Sequence, residues 1–362
     1  MYSCVSRKYI PHPCPRTQRM PIRRSKLILF SIFAAILVVV AATIYFVYDR
    51  YQDFVASELQ LSAAGEIVVV EPGDSLRAVL KKLEGEGATR FDWRWRLLAR
   101  RQPVSIQVGE YLLAPPMLPP ELLEMLGSGR VLQHRFTIVE GWSWAQLLAA
   151  LAVNPVLDHA IEGSIHPAEV ETIAEAFGAP AMTHAEGWFL PETYYFARGE
   201  RDVDILRRAH EAMQTGLEEA WQSRDVGLPL ETPYELLILA SIIEKETAIE
   251  AERGQIAGVF VRRLQGGMRL QTDPTVIYGL GEGFDGNIRR ADLQADNPYN
   301  TYTRHGLPPT PIALPGQESL RAAAHPQEGD ALYFVADGEG GHTFSSTLEE
   351  HEAAVKKLIE KP

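Results

Sequence analysis

One uncharged and largely aliphatic run, at residues 27–48, limits what this chain can form more than any other feature. As an α-helix the run would extend about 33 Å, enough to cross the hydrocarbon core of a bilayer. A cleaved signal peptide is the alternative, but its apolar region is usually only about 7 to 15 residues long. We therefore predict one membrane-spanning helix over 27–48, preceded by a basic tail over 1–26 that would be shorter if Met20 were the true start.

Charge is divided unevenly about this run. Residues 1–48 carry seven Lys and Arg side chains and no Asp or Glu, so the formal charge of −12 divides into +7 before Asp49 and −19 from Asp49 onward. Basic flanks remain in the cytoplasm. We predict a cytoplasmic N-terminus and, after a stalk over 49–65, a large extracytoplasmic part. Both cysteines, Cys4 and Cys14, precede the span, so the external part has no disulfide.

The composition excludes several classes of protein. An acidic exterior without a basic stripe argues against nucleic acid as a partner. The histidines are scattered, with no two at helical ligand spacing beside a carboxylate, so the sequence predicts neither a metal site nor a cofactor. Because 46% of the chain is hydrophobic and 23% is charged, it can bury an ordinary globular core in two or three domains.

The external part begins with a strand at 67–70, a turn at Pro72 and Gly73, and a helix capped by Asp74 or Ser75. This unit resembles a LysM module, a fold that binds N-acetylglucosamine-containing glycans; a generic strand-turn-helix with a good cap is the alternative. A fainter copy follows at 137–151. The other predicted elements are a strand at 109–113, a helix at 119–126, a helix-rich section at 154–180, a helix at 256–264, an extended segment at 268–276, a hairpin at 332–345 and a last helix at 348–359.

The helix that we predict to begin after Thr232 carries the candidate chemistry. Thr232 and Glu235 have the spacing of a capping box, with proline at the first helical position. The helix is apolar on nearly every face until Glu244 and Glu246. A carboxyl group beside that much hydrocarbon tends to keep its proton near neutral pH, which suits a general acid. Periodicity does not choose between the two glutamates, and either could instead pair with an arginine such as Arg253.

Polar and aromatic side chains accompany this helix. The run at 186–196 is dense in aromatic residues, which form either core or a wall on which sugars stack. Gln271, Asp273, Asn300 and Tyr302 lie on segments predicted to be extended or looped, from which they could position a sugar. In the alternative, Asp273 caps the turn at Pro274 and Asn300 bonds the backbone of its own loop.

Several long motifs in one order resemble the MltG (YceG-like) family of endolytic murein transglycosylases. They run over about residues 66–356 and are LASIIEKET at 239–247, GMRLQTDPTVIY at 267–278, YNTY at 299–302, GLPP at 306–309, AAHP at 323–326, YFVADG at 333–338 and GHTF at 341–344. One departure is Arg262, which stands where the family usually has Asn. If that Asn lines the cleft, glycan binding would differ here.

The resemblance implies an α+β fold with a single N-terminal transmembrane helix, a LysM-like small α/β module over 66–135 and a YceG-like catalytic domain over 136–358. It implies that Glu244 is the catalytic acid and Glu246 a supporting residue. The implied substrate is the MurNAc-β-1,4-GlcNAc bond of peptidoglycan, cleaved with formation of a 1,6-anhydro end. A hydrolytic muramidase and a non-catalytic wall-binding scaffold are the alternatives. The resemblance raises peptidoglycan synthases as partners, without indicating which.

Overall fold

A computed structural model describes residues 22–161, 174 and 184–360. The chain divides into two compact units whose boundary lies between Arg130 and Val131. Most of the predicted basic tail and most of the predicted helix-rich section at 154–180 lie outside the described residues.

The first unit begins with helix α1, Ile22–Ala56. Within the described residues, this is the one helix that is long and apolar enough to cross a membrane. It continues past Tyr48 into the predicted stalk because no glycine or proline interrupts the chain there. Beyond the apolar run, Tyr51 and Phe54 are buried, and the Phe54 ring packs edge-on against Trp95 with ring centroids 5.1 Å apart.

The rest of the first unit is built around a two-stranded sheet. Strand β1 pairs antiparallel with strand β2, and the helices between and after the strands bury their apolar faces with it. Ser75 caps α2 by accepting a hydrogen bond from the Ala78 N–H, which confirms one of the two predicted caps. The elements are β1 Glu66–Val70, α2 Leu76–Gly85, α3 Trp93–Arg101, β2 Gly109–Leu113 and α4 Pro119–Ser128. A LysM-like role for this unit stays a prediction.

The second unit is mostly helical, with two small antiparallel sheets. Its strands are β3 Gln133–Thr137, paired with β4 Thr193–Ala197, and β5 Tyr333–Ala336, paired with β6 His342–Ser345. Its longer helices are α5 Trp144–Ala152, α6 Asp202–Ser223, α7 Pro233–Glu246, α8 Glu250–Gln265, α9 Asp273–Leu280, α11 Gln317–Ala324 and α12 Leu348–Glu360, with the short α10 at Arg290–Gln294. The described chain contains both helices and small antiparallel sheets, which confirms the predicted mixed α and β class.

Helix α7 lies at the centre of this unit. Every residue from Leu236 to Ile243 is buried, and helices α6, α8, α9 and α11 pack around it. The Thr232 hydroxyl accepts from the Glu235 N–H at 3.2 Å, which confirms the predicted start. The Glu235 carboxylate turns to the N–H of Glu231 instead of Thr232, so the capping box is only half formed.

Two other predictions are decided by packing. The extended segment predicted over 268–276 is wrong from Asp273 onward, because Pro274 suits the first turn of a helix and α9 begins there. The aromatic run is largely core, since Phe189, Tyr194 and Phe196 are buried and the Phe189 ring stacks on Trp144 with centroids 4.9 Å apart.

Candidate active site

Glu244 lies in the last turn of α7, where the helix leaves the apolar core. One carboxylate oxygen accepts hydrogen bonds from the Gly316 N–H at 2.9 Å and from the Ser319 hydroxyl at 2.7 Å. The other oxygen is 3.4 Å from Nη2 of Arg253, with which it forms an ion pair. The side chain is 5% exposed. All three donors belong to elements that pack against the end of α7.

These contacts differ from the surroundings that the sequence indicates. The predicted hydrocarbon environment of the carboxyl group is wrong, because its immediate partners are a guanidinium, a hydroxyl and a backbone N–H. The buried leucine and isoleucine side chains of α7 end at Ile243, directly before Glu244. At its C-terminal end, the helix instead meets the first residues of α11, whose N-terminal donors favour a nearby carboxylate.

A turn over 140–142 lies beside the end of α7. Gly141 donates to the Leu314 carbonyl at 2.9 Å, and Leu314 donates back to the Trp142 carbonyl at 2.7 Å. The Lys245 ammonium donates to the Gly141 carbonyl at 3.1 Å. Gly141 has a φ of +74°, which a residue with a side chain rarely adopts. The turn therefore needs glycine, and it places Glu140 beside Glu244.

Glu140 reaches the same arginine as Glu244. Its Oε2 lies 3.4 Å from Nη2 of Arg253, and a Cβ added to Gly316 would fall 2.1 Å from its Oε1. Because Gly316 has no side chain, the Glu140 carboxylate can lie against it, while the Gly316 N–H donates to Glu244. Arg253 bridges two glutamates that are distant in sequence.

Glu246 occupies a different environment from Glu244. It accepts a hydrogen bond from the hydroxyl of Thr272, and the N–H of Thr272 in turn donates to the Thr301 hydroxyl at 3.1 Å. Desolvation raises the pKa of Glu246, and the Thr272 hydrogen bond opposes that rise only in part. The two acids of the helix therefore have separate partners, which periodicity alone could not reveal.

Three of the four polar residues proposed from sequence come together near Glu246. The Tyr302 hydroxyl donates to Asp273 at 2.5 Å, and the backbone N–H of Gln271 donates to the Thr301 carbonyl at 3.2 Å. Gln271 and Asp273 are exposed, and Gln271 has a φ of +50°, uncommon for a residue other than glycine. Burial raises the pKa of the Tyr302 hydroxyl, so it stays protonated as a donor.

Asn300 is placed differently. Its side chain is 1% exposed, and its amide nitrogen donates to the carbonyls of Asp292, Leu293 and Ala295. Its amide oxygen accepts from the Tyr302 N–H at 2.9 Å. These bonds hold its own loop, which is the structural alternative described for this residue above.

A further carboxyl group lies behind the turn. Glu186 is 7% exposed and accepts hydrogen bonds from the Trp144 N–H at 2.9 Å and the Tyr278 hydroxyl at 3.2 Å. Burial raises its pKa to about 7, and these two hydrogen bonds offset only part of the effect. In the sequence, Glu186 stands out only as the start of the aromatic run.

Arg262, the departure from the family pattern, has a structural position. Its Nε donates to the Ala331 carbonyl at 2.7 Å and its Nη1 to the Gln327 carbonyl at 3.1 Å. It therefore holds the 327–331 loop.

Across the part of the chain that the structure describes, no three His, Cys, Asp or Glu side chains group as metal ligands.

Sequence reasoning missed three residues around Glu244. Glu140 was included only in a predicted strand-turn-helix, although its position directly before a turn glycine offered a weak signal. Gly316 and Ser319 had no signal, because a donor on a helix N-terminus depends on which helix packs there. Arg253 was named only as one arginine that could pair with a glutamate.

Comparisons with known proteins all find the same family of proteins. The YceG-like family model matches residues 68–357. A Bacillus subtilis (strain 168) protein named endolytic murein transglycosylase is 30% identical over 303 residues, covering 80% of this chain and 84% of the relative. A Streptococcus pneumoniae (strain D39) protein of the same name is 26% identical over 346 residues, and the match spans 62% of that longer protein.

A solved structure supports the same relationship. The crystal structure of a YceG-like protein from Listeria monocytogenes is similar to 81% of this chain and 99% of its own, with a TM-score of 0.51 and 28% sequence identity. Since the family model covers most of the sequence, the chain belongs to the YceG-like family.

Proposed function

We propose that this protein is a lytic transglycosylase that cleaves peptidoglycan strands internally, at the MurNAc-β-1,4-GlcNAc bond, with Glu244 as its acid and base. The observation that carries the proposal is the position of Glu244. Glu244 lies in the last turn of a buried helix and accepts from three donors. Two relatives of the chain are named endolytic murein transglycosylases.

The reaction needs one carboxyl group that works twice. In the first step Glu244 gives its proton to the glycosidic oxygen as the bond from that oxygen to the muramyl anomeric carbon breaks. The resulting carboxylate then takes the proton of the muramyl 6-hydroxyl, whose oxygen bonds to the anomeric carbon and closes the 1,6-anhydro ring. The proton given in the first step is recovered in the second, so no water is consumed.

The surroundings of Glu244 suit the second step in particular. The hydroxyl of Ser319 and the N–H of Gly316 fix one oxygen in place and Arg253 contacts the other, so the carboxylate can meet a reacting hydroxyl with little loss of orientation. Gln271, Asp273 and Tyr302 are proposed to bind the sugar, since they meet at the same end of α7 and two of them are exposed. Glu246 is proposed to support them through Thr272.

A product assay tests the proposal. Glu244→Gln keeps the shape of the side chain but cannot give the required proton, so cleavage of purified glycan strands should fall at least about 100-fold while the fold is retained. Glu246→Gln should lose less, and Glu219→Gln, which removes an exposed carboxylate from α6, should behave as wild type. Near-normal turnover by Glu244→Gln would refute the assignment.

The mass of the released ends separates the alternatives. An anhydro end is lighter than a reducing end by one water, whereas a muramidase makes only reducing ends and a scaffold releases none. A hydrolase would also need a second carboxylate to activate water or attack the sugar. The mass spectrum of wild-type digests therefore decides among the three.

Finer assignments belong to the same proposal. We infer that the first unit, with its β1–β2 sheet, acts as a LysM-like module that holds glycan strands, and that residues 136–358 form the catalytic domain. The apolar helix within α1 and the basic residues before it support an anchor in the inner membrane with the N-terminus in the cytoplasm. Peptidoglycan synthases are proposed partners because both activities would use the same strands.

A further inference from the structure

Arg253 is a buried cation that two glutamates share. Its Nη2 is 3.4 Å from Glu244 and 3.4 Å from Glu140, while its side chain is only 10% exposed. Its Nε is buried and has no acceptor among the described residues. The guanidinium therefore depends on these two carboxylates for compensation of its charge.

The proposed reaction creates a difficulty for this arginine. Glu244 must carry a proton before it can act as an acid, and a neutral carboxyl group no longer compensates the charge of Arg253. If Glu244 were the sole partner, protonation would leave a buried cation unpaired, which is unfavourable. The cost would fall on the protonated, acid-competent form of the enzyme.

Glu140 is placed to remove this cost. It approaches the same nitrogen at the same distance as Glu244, but its side chain is 47% exposed, so water stabilises its charge while Glu244 is only 5% exposed. The backbone hydrogen bonds that Gly141 and Trp142 form with Leu314 hold Glu140 in this position. Arg253 therefore has in Glu140 a second carboxylate partner whose charge is solvated.

We propose, building on the function proposed above, that Glu140 is a positioning residue that keeps Arg253 neutralised while Glu244 carries its proton. Without Glu140, the acid-competent form of the enzyme would leave the buried Arg253 without a charged partner. Glu140 acts through Arg253 and need not contact the sugar.

Other charges near this end of α7 are accounted for by their own partners. Lys245 binds the Gly141 carbonyl, and its charge lowers the pKa of Glu186 against the larger effect of burial. Glu246 is held by Thr272, and besides the effect of burial its pKa is raised by the charge of Asp273 and lowered by that of Arg263. On α11, Glu318 pairs with Arg321. On α6, the residues buried against α7 include Met213 and Leu217, and His210 bonds the Trp188 carbonyl.

The pH dependence of kcat/KM tests this role. In the full-length Glu140→Gln variant, the alkaline limb of the profile should move to lower pH by about one unit, so kcat/KM measured on that limb falls about tenfold. At pH values below the limb, activity should return towards wild type. Glu140→Asp, which restores the charge at a shorter reach, should recover part of the displacement.

A matched control and a second background separate this role from a structural one. Glu318→Gln removes a negative charge from α11 without touching Arg253, so its limb should stay where it is in wild type. In an Arg253→Gln background, Glu140→Gln should displace the limb no further, because the two residues act as a unit. Thermal melting of each variant confirms that it is folded, and if Arg253→Gln does not fold, the Glu140 and Glu318 variants decide alone.

The outcomes are distinguishable from failure of the proposed function. Loss of activity by the same factor at every pH, or an unmoved limb, in Glu140→Gln would overturn the role of Glu140 while leaving Glu244 as the acid. If wild-type enzyme releases no anhydro ends, the proposed function itself fails. The two results come from different measurements, a pH profile and a product mass.

Discussion

At the residue scale, Glu186 shows how burial and hydrogen bonding compete. Its carboxyl group has two neutral donors and little exposure. In Glu186 the desolvation is the larger effect, so its pKa rises to about 7. The folded protein therefore binds a proton there that the unfolded chain releases near pH 4.5.

This difference predicts how stability depends on pH. A raised folded pKa gives stabilisation that is complete below about pH 4.5 and is lost as the pH rises to about 7, which amounts to about 3 kcal/mol. Glu186→Gln removes the titration and retains an oxygen for the Trp144 N–H. Relative to wild type, the variant should therefore gain about 3 kcal/mol of unfolding free energy between pH 4.5 and pH 8.

Urea unfolding of the purified full-length chain at the two pH values measures this gain. Glu219→Gln serves as the control, because that carboxylate is exposed and its removal should leave the pH dependence as in wild type. Parallel pH dependences for wild type and Glu186→Gln would show that Glu186 ionises in the folded protein as it does in the unfolded chain, and that its hydrogen bonds fully offset its burial.

At the element scale, the segment from α10 to Tyr302 depends on one buried side chain. Asn300 bonds three carbonyls at the end of α10 and the N–H of Tyr302, and it thereby turns the chain back towards α9. Its replacement leaves these partly buried groups without their partner, and an unsatisfied group costs about 1–3 kcal/mol.

We therefore expect Asn300→Ala to destabilise the protein by about 3 kcal/mol and to lower its Tm. Cleavage activity should fall only as far as the folded fraction falls, because both polar atoms of the Asn300 side chain bond to the backbone of its own loop. Asn287→Ala, at an exposed loop position, should change neither quantity. Weakened cleavage with an unchanged Tm would instead mean that Asn300 contacts the sugar.

At the scale of the whole molecule, the charge asymmetry about the apolar helix predicts topology. A reporter enzyme fused after Pro362 should be active only outside the cytoplasm, and the chain should remain with membranes after carbonate washing. Moving the basic residues from before the span to just after it, as a matched variant, should reduce external reporter activity. Recovery of a soluble chain that starts near Ala42 would indicate a cleaved signal peptide.

Local patterns were sufficient for many elements because they reflect interactions between near neighbours in sequence. The Thr232 cap, the apolar course of α7 and the strand β1 all follow from patterns within a few residues, and each appears in the structure where it was predicted. The length of the apolar run likewise indicated a helix able to span a membrane. The family motifs, read in order, identified the class of enzyme.

Only the tertiary structure decided what surrounds the acid. Glu140 and Arg253 are separated by 113 positions, and the donors Gly316 and Ser319 lie on a helix that follows α7 by about 70 residues. No periodicity relates such residues, since their approach depends on how α8, α11 and the 140–142 turn pack against α7. The sequence alone determined that this helix ends in a carboxylate, and packing determined which cation, hydroxyl and second carboxylate meet it, because those contacts form only when distant elements share one core.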